Sequence, residues 1–277
     1  MKKLFLCLLL SICCCSLTSC KKAQFNEKEG VITIGLECNY APFNWAETKP
    51  TTTNVKVTGA SNMYAEGYDV MIAKRIAEQL GYELKIKAID WNGLVPALTS
   101  GDIDLIIAGM SPTAERKKVI NFTDEYYRSN HDLLMKKSSV YANAKTFDDL
   151  NNAKVIGQKS TSYDELAKQI AEKNSSTIYQ NPLNTIPEII ISLTSNASDI
   201  TVLEEPVARG IVAKYPEFTY IQLESAFDIL EENLIVSIGV RKIDEALLVA
   251  VNSALANISQ EERNNIMQTA IGLQNEE

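Results

Sequence analysis

The sequence predicts an α/β fold built as two lobes, and three observations predict it. Apolar runs suited to buried strands alternate with amphipathic helical stretches from Val31 onward, the pattern of a parallel sheet covered by helices. That alternation restarts as a second unit after Lys137. For a chain of 277 residues, two cores of roughly 100 residues each fit better than one oversized core.

The first segment lies outside that fold. Lys2-Lys3 is a basic start, and Leu4 to Leu17 is an apolar stretch too short to span a bilayer comfortably. Leu17-Thr-Ser-Cys20 then sets small residues before a cysteine, as in a bacterial lipobox. The expectation is a signal peptide over 1–19, cleavage before Cys20, acylation of its thiol (the palmitate-bearing class), and a polar tether over 20–30. Losing Lys2 and Lys3 takes the formal charge from −8 to −10. That balance, with no basic block, disfavours nucleic acid or an anionic membrane surface as a partner.

Cys7, Cys13, Cys14 and Cys15 leave with the signal, so Cys38 is the one thiol of the mature chain besides Cys20. An internal disulfide or a thiolate metal site is not expected, and neither is a cofactor. One histidine, His131, makes a zinc or histidine-dependent catalytic centre improbable.

Val31–Gly35 reads as the first strand, followed by the aromatic loop Asn39–Phe43 and an exposed, Thr- and Asn-rich hairpin or loop over Glu47–Glu66. Ile72, Ala73, Ile76, Ala77 and Leu80 share one helical face over Asp69–Leu80, which Gly81 ends. A strand over Glu83–Ala88, a helix over Trp91–Ser100 stopped by Gly101, and a strand over Asp104–Ala108 complete the first unit. In the second, strands are predicted over Lys154–Gln158, Thr177–Gln180 and Ile200–Leu203. Helices are predicted over Tyr163–Glu172, from an Asn184 cap to about Leu193, and over Glu205–Lys214. A strand over Leu234–Val240, a helix over Asp244–Asn257, and a last helix opened by the capping box Ser259-Gln-Glu-Glu262 follow.

One stretch organises the chemistry. Ala108-Gly-Met-Ser-Pro-Thr-Ala-Glu-Arg116 follows a buried strand, with Gly109 as breaker, Ser111 as expected cap and Pro112 at the first helical position. Backbone N–H groups, a hydroxyl and the Arg116 guanidinium would then converge on a volume suited to a carboxylate. Taken alone, the run Glu115–Lys118 reads equally as a solvated charged face.

The surrounding motifs tip the balance. Tyr40-Ala-Pro-Phe43, Gly67-Tyr-Asp-Val70, Trp91-Asn-Gly-Leu-Val-Pro-Ala97, Ala108-Gly-Met-Ser111, Thr113-Ala-Glu-Arg-Lys-Lys118 and Asn121-Phe-Thr-Asp124 stand in order. Together they resemble the family 3 extracellular solute-binding proteins, amino-acid receptors of ABC importers. The resemblance runs from about Val31 to the C-terminus. It implies a periplasmic-binding-protein-like fold of type II with two crossover hinge strands, near Tyr126–Asn130 and Leu234–Ile238. Lobe 1 would comprise 31–126 plus 239–277, and lobe 2 131–234.

By the same resemblance Arg116 holds a ligand α-carboxylate, helped by Ser111, the Gly109 carbonyl, and Thr161 and Ser162 of the second lobe. Ser160 departs from the family, where glycine is common. Glu204 is assigned the α-ammonium, with Glu205 as fallback; both acids also read as caps of the following helix. Tyr40 and Trp91 would flank the ligand side chain, and Glu37 would meet its far end. Spare carboxylates and aromatic faces suit a basic side chain of the arginine, lysine or histidine type; a neutral polar amino acid is the alternative. Asp69 reads as a structural helix cap. The implied protein is a monomeric, non-enzymatic, lipid-anchored extracytoplasmic receptor serving a permease and ATPase. The rivals are a signalling receptor subunit and, less favoured, a periplasmic dehydratase-like enzyme.

Overall fold

The computed structural model describes residues 24–224 and 227–274. The signal segment and Cys20 lie outside the described residues. The architecture is two-lobed α/β, each lobe carried by one five-stranded sheet. The first orders Glu83–Ala88, Val31–Leu36, Leu105–Ile106, Ile235–Arg241 and Ile120–Arg128 side by side; the second orders Ile178–Tyr179, Lys154–Ile156, Ile200–Glu204, His131–Lys136 and Phe218–Ile221.

Neither sheet is wholly parallel. Val31–Leu36 runs parallel to both neighbours, but Ile235–Arg241 is antiparallel to Leu105–Ile106 and to Ile120–Arg128. His131–Lys136 likewise opposes both of its neighbours. The reason is connectivity: parallel neighbours need a crossover helix, whereas a strand arriving directly from the other lobe is free to enter reversed. The passage from one sheet to the other falls at Ser129–Asn130. There the Ser129 N–H donates to the Leu234 carbonyl at 3.0 Å, and the Glu205 N–H to that of Asn130 at 3.0 Å.

Helix boundaries follow the sequence closely. Tyr68–Leu80 and Trp91–Ser100 both end on left-handed glycines, Gly81 at φ 73° and Gly101 at φ 84°, a conformation glycine adopts without a Cβ penalty. Thr185, not Asn184, caps Ile186–Thr194, because Glu188 reciprocates its hydrogen bond in a capping box. Ser259 does cap Gln260–Leu273, but the Glu262 carboxylate lies on Arg75 at 2.9 Å.

Two segments expected at the surface are mostly exposed or half-buried but tied to the fold at points. In the Glu47–Glu66 region, Val55–Lys56 and Tyr64–Glu66 join Asn39–Tyr40 and Asn44–Glu47 in a four-stranded antiparallel sheet, with Ala65 and Glu66 buried. Within the polar N-terminal stretch, Phe25 meets Tyr82 edge-on at 5.5 Å and donates its N–H to Asp244. A buried ion pair braces this lobe: Arg241 sits between Asp104 at 3.0 Å and Asp244 at 2.6 Å.

Candidate functional site

The stretch after Leu105–Ile106 builds the site differently from expectation. The helix is Ala114–Val119, and its cap is Thr113, whose hydroxyl accepts the Arg116 N–H at 3.3 Å. Ser111 is not the cap. It is buried, and its carbonyl takes a hydrogen bond from the Arg116 guanidinium at 2.8 Å. The chain therefore runs two residues further before turning. Glu232 occupies the Ala114 N–H at 2.7 Å, so the guanidinium, not a free helix terminus, is the cationic group this stretch presents to the cleft.

Gly109 is needed for two reasons. Its φ is 59°, and a Cβ there would lie 2.6 Å from the Tyr40 ring. Its N–H donates to the Tyr126 hydroxyl at 3.0 Å, and that hydroxyl donates to Asp69 at 2.7 Å. Asp69 is no helix cap. Fully buried in the first turn of its helix, it also accepts from Asn44 at 2.8 Å, and Asn44 in turn holds the Cys38 N–H. One carboxylate thus fixes both loops of the first lobe that reach the cleft, and burial pushes it up to about 6. Cys38, beside the cleft, is driven by burial to about 12, which keeps it protonated and unreactive.

All nine residues expected to touch ligand line one cleft: Glu37, Tyr40, Trp91, Gly109, Ser111 and Arg116 from the first lobe, Thr161, Ser162 and Glu204 from the second. Gln158 and Tyr163 join them and were not foreseen. Their signal was position alone, at either end of the loop after Lys154–Ile156.

The two lobes meet across this cleft through their own polar groups. The Tyr40 hydroxyl donates to Glu204 at 2.7 Å and also pairs closely with the Tyr163 hydroxyl. Trp91 Nε1 and the Arg116 guanidinium both donate to the Ser160 carbonyl, at 3.1 and 3.2 Å. Ser160, the departure from family pattern, holds φ 63° to aim that carbonyl. The guanidinium carbon also sits 4.9 Å over the Trp91 ring, so one indole face is already used and only the other is free to flank a ligand. The space left is about 20 Å³, room for one water. That space is too small for an amino acid.

Electrostatically the cleft awaits charge. Burial raises Glu37 and Glu204 to about 7 and lowers Arg116 to about 10. Desolvation disfavours each charged form, and a ligand of opposite charge would restore it. Glu205 lies instead near Arg209, at 3.4 Å, and is absent from the cleft lining. His131 is buried behind Tyr163, ring centroids 5.7 Å apart, and burial drops it to about 4. Among the described residues no group of three candidate ligands could hold a metal, and no helix is long and apolar enough to cross a membrane.

Known proteins are similar to this chain in sequence and in fold. The chain is 30% identical over 212 residues to the arginine-binding extracellular protein ArtP of Bacillus subtilis, covering 76% of each. It is 30% identical over 247 residues to a probable histidine-binding protein of Campylobacter jejuni, covering 86% of this chain and 88% of that one. Among solved structures, AbpA of Streptococcus pneumoniae, an amino-acid ABC transporter substrate-binding protein bound to L-arginine, superposes with a TM-score of 0.75. It is 26% identical and covered over 98% of its length by 91% of this chain. The family described as bacterial extracellular solute-binding proteins, family 3, matches residues 32–272, and the chain belongs to it.

Proposed function

We propose that the chain is an extracytoplasmic receptor for a free basic amino acid, handed to an ABC importer's permease and ATPase. The observation that carries this is the convergence of Arg116 from one lobe and Glu204 from the other on one cleft. Arg116, with Ser111, Gly109, Thr161 and Ser162, takes the α-carboxylate; Glu204 takes the α-ammonium. Tyr40 and the open face of Trp91 flank the side chain, and Glu37 meets its far end. Two desolvated carboxylates against one guanidinium favour a ligand with a net positive charge, and the arginine- and histidine-binding names of the relatives support the same side-chain class.

The lobes would divide as 31–126 plus 239–277 and 131–234, with the first sheet reaching past those bounds through the ends of Ile120–Arg128 and Ile235–Arg241. Ligand closes them because second-lobe contacts exist only in the closed arrangement. The receptor is non-catalytic, monomeric, and held to the membrane by lipid on Cys20. Mass spectrometry of the purified native protein tests the anchor: an unmodified Cys20 would remove it.

A thermal-shift screen over the twenty amino acids tests the ligand, since a molecule that binds only the folded state raises the melting temperature. Arginine, lysine or histidine should give the largest shift. A shift confined to uncharged amino acids would overturn the side-chain assignment, and no shift with any would overturn the receptor itself.

A further inference from the structure

A second cavity, of about 480 Å³, lies where the chain crosses between the sheets. Tyr127 and Asn130 wall it at the crossover, Asp132 at the start of the second sheet, Glu205 at a helix start, and Tyr220 on the edge strand. None of its lining residues lines the cleft.

Its charges do not cancel. Arg128, at the rim, is committed to Glu125 at 2.6 Å and Glu231 at 2.5 Å. Glu205 is answered by Arg209 at 3.4 Å. Asp132 is only 4% exposed, and among the described residues its side chain has neither an ion pair nor a hydrogen bond. Burial first, then the charge of Glu205, push it up to about 6. Burial and Glu205, in the same order, raise the phenols of Tyr127 and Tyr220, with Arg209 acting against them at both rings. The Asp132 carboxylate opens on a space large enough for a small molecule.

We infer that this cavity is a second binding site, for a small organic monocation such as a primary amine, with its charge on Asp132 and its carbon chain between Tyr127 and Tyr220. The aromatic walls favour an organic cation over a metal ion, which would demand more oxygen ligands than one free carboxylate supplies. Because Tyr127 belongs to the first sheet and Tyr220 to the second, an occupant touches both lobes at their joint. Its binding and the opening of the cleft are then coupled, each to the same extent.

Butylamine titrated into the isotopically labelled intact protein tests this by amide NMR. Saturable shifts are expected at Asn130, Asp132, Glu205 and Tyr220, and none with butyrate. Asp132→Asn should weaken the amine by about ten-fold or more. Non-saturating shifts, shifts centred on Glu37 and Glu204, or an Asp132→Asn variant that binds like the parent would each overturn the assignment. Should Asp132→Asn fail to fold, Tyr220→Leu serves: weakened binding supports the site and unchanged binding overturns it.

Discussion

The two faces of the cleft are built on different principles. The first-lobe face is fixed from behind: Asp69 anchors Tyr126 and Asn44, and these hold the Gly109 and Cys38 backbones. The second-lobe face is one loop and one strand end. Thr161 ties that loop to itself, donating to the Gln158 carbonyl at 2.7 Å and accepting from the Tyr163 N–H at 3.2 Å, while Ser160 takes a strained backbone conformation at its apex. The first face is thus a preorganised receptor surface. The second, under the proposed closure, is a clasp.

Four experiments break or sharpen this contrast. The largest effect is expected from Arg116→Ala, which should cost about 2–5 kcal/mol of binding, as for removing one partner of a buried charged contact. Calorimetry showing unchanged affinity would end the assignment. Next comes Asp69→Ala. Leaving the Asn44 amide and Tyr126 hydroxyl without their partner should lower stability by about 1–3 kcal/mol, read from denaturant midpoints, with affinity falling too. Gln158→Ala on the clasp should weaken binding with no comparable loss of stability. Equal stability losses from the two would erase the distinction between the faces.

The third experiment varies pH. In the closed, self-paired arrangement Glu37 and Glu204 sit near 7, above their ordinary 4.5. Raised values mean that protons favour this arrangement. Its extra stability is fully present below about 4.5 and is lost as pH rises through about 7. A cationic ligand needs the carboxylates ionised, so its affinity should hold above pH 7 and fall through the same window. The expected slope is up to about ten-fold per pH unit for each group. An affinity flat from pH 8 to 5 would show that neither acid meets ligand charge. The smallest effect belongs to Ser160→Gly. Relief of the left-handed conformation, offset by glycine's backbone entropy, should move stability by less than about 1 kcal/mol.

The sequence was most legible where local chemistry decides structure. The 3.6-residue periodicity before Gly81 and Gly101 placed both helix ends to the residue. The family resemblance named nine separated residues that line one cleft, five of them within its ordered motifs. What local patterns could not carry was anything set by a distant partner. Ser111 lost the cap to Thr113 because its carbonyl serves Arg116, and Asp69 became a hub because Tyr126 and Asn44 reach it from other elements. The direction of Ile235–Arg241 depends on the chain returning from the other lobe, which no window around that strand records. Tyr163 and Gln158 carried no motif of their own.

If Arg116 and Glu204 hold the ligand as proposed, the bonds from Arg116 to the Ser160 carbonyl and from Tyr40 to Glu204 make the protein its own competitor. A molecule offering only an acid, or only an amine, swaps one internal bond for one external bond and gains little. A molecule carrying both groups on a single carbon replaces the two at once and keeps the surplus. Under the proposed roles those internal bonds act as a reference weight, rejecting half-matching metabolites without a clash designed against any of them.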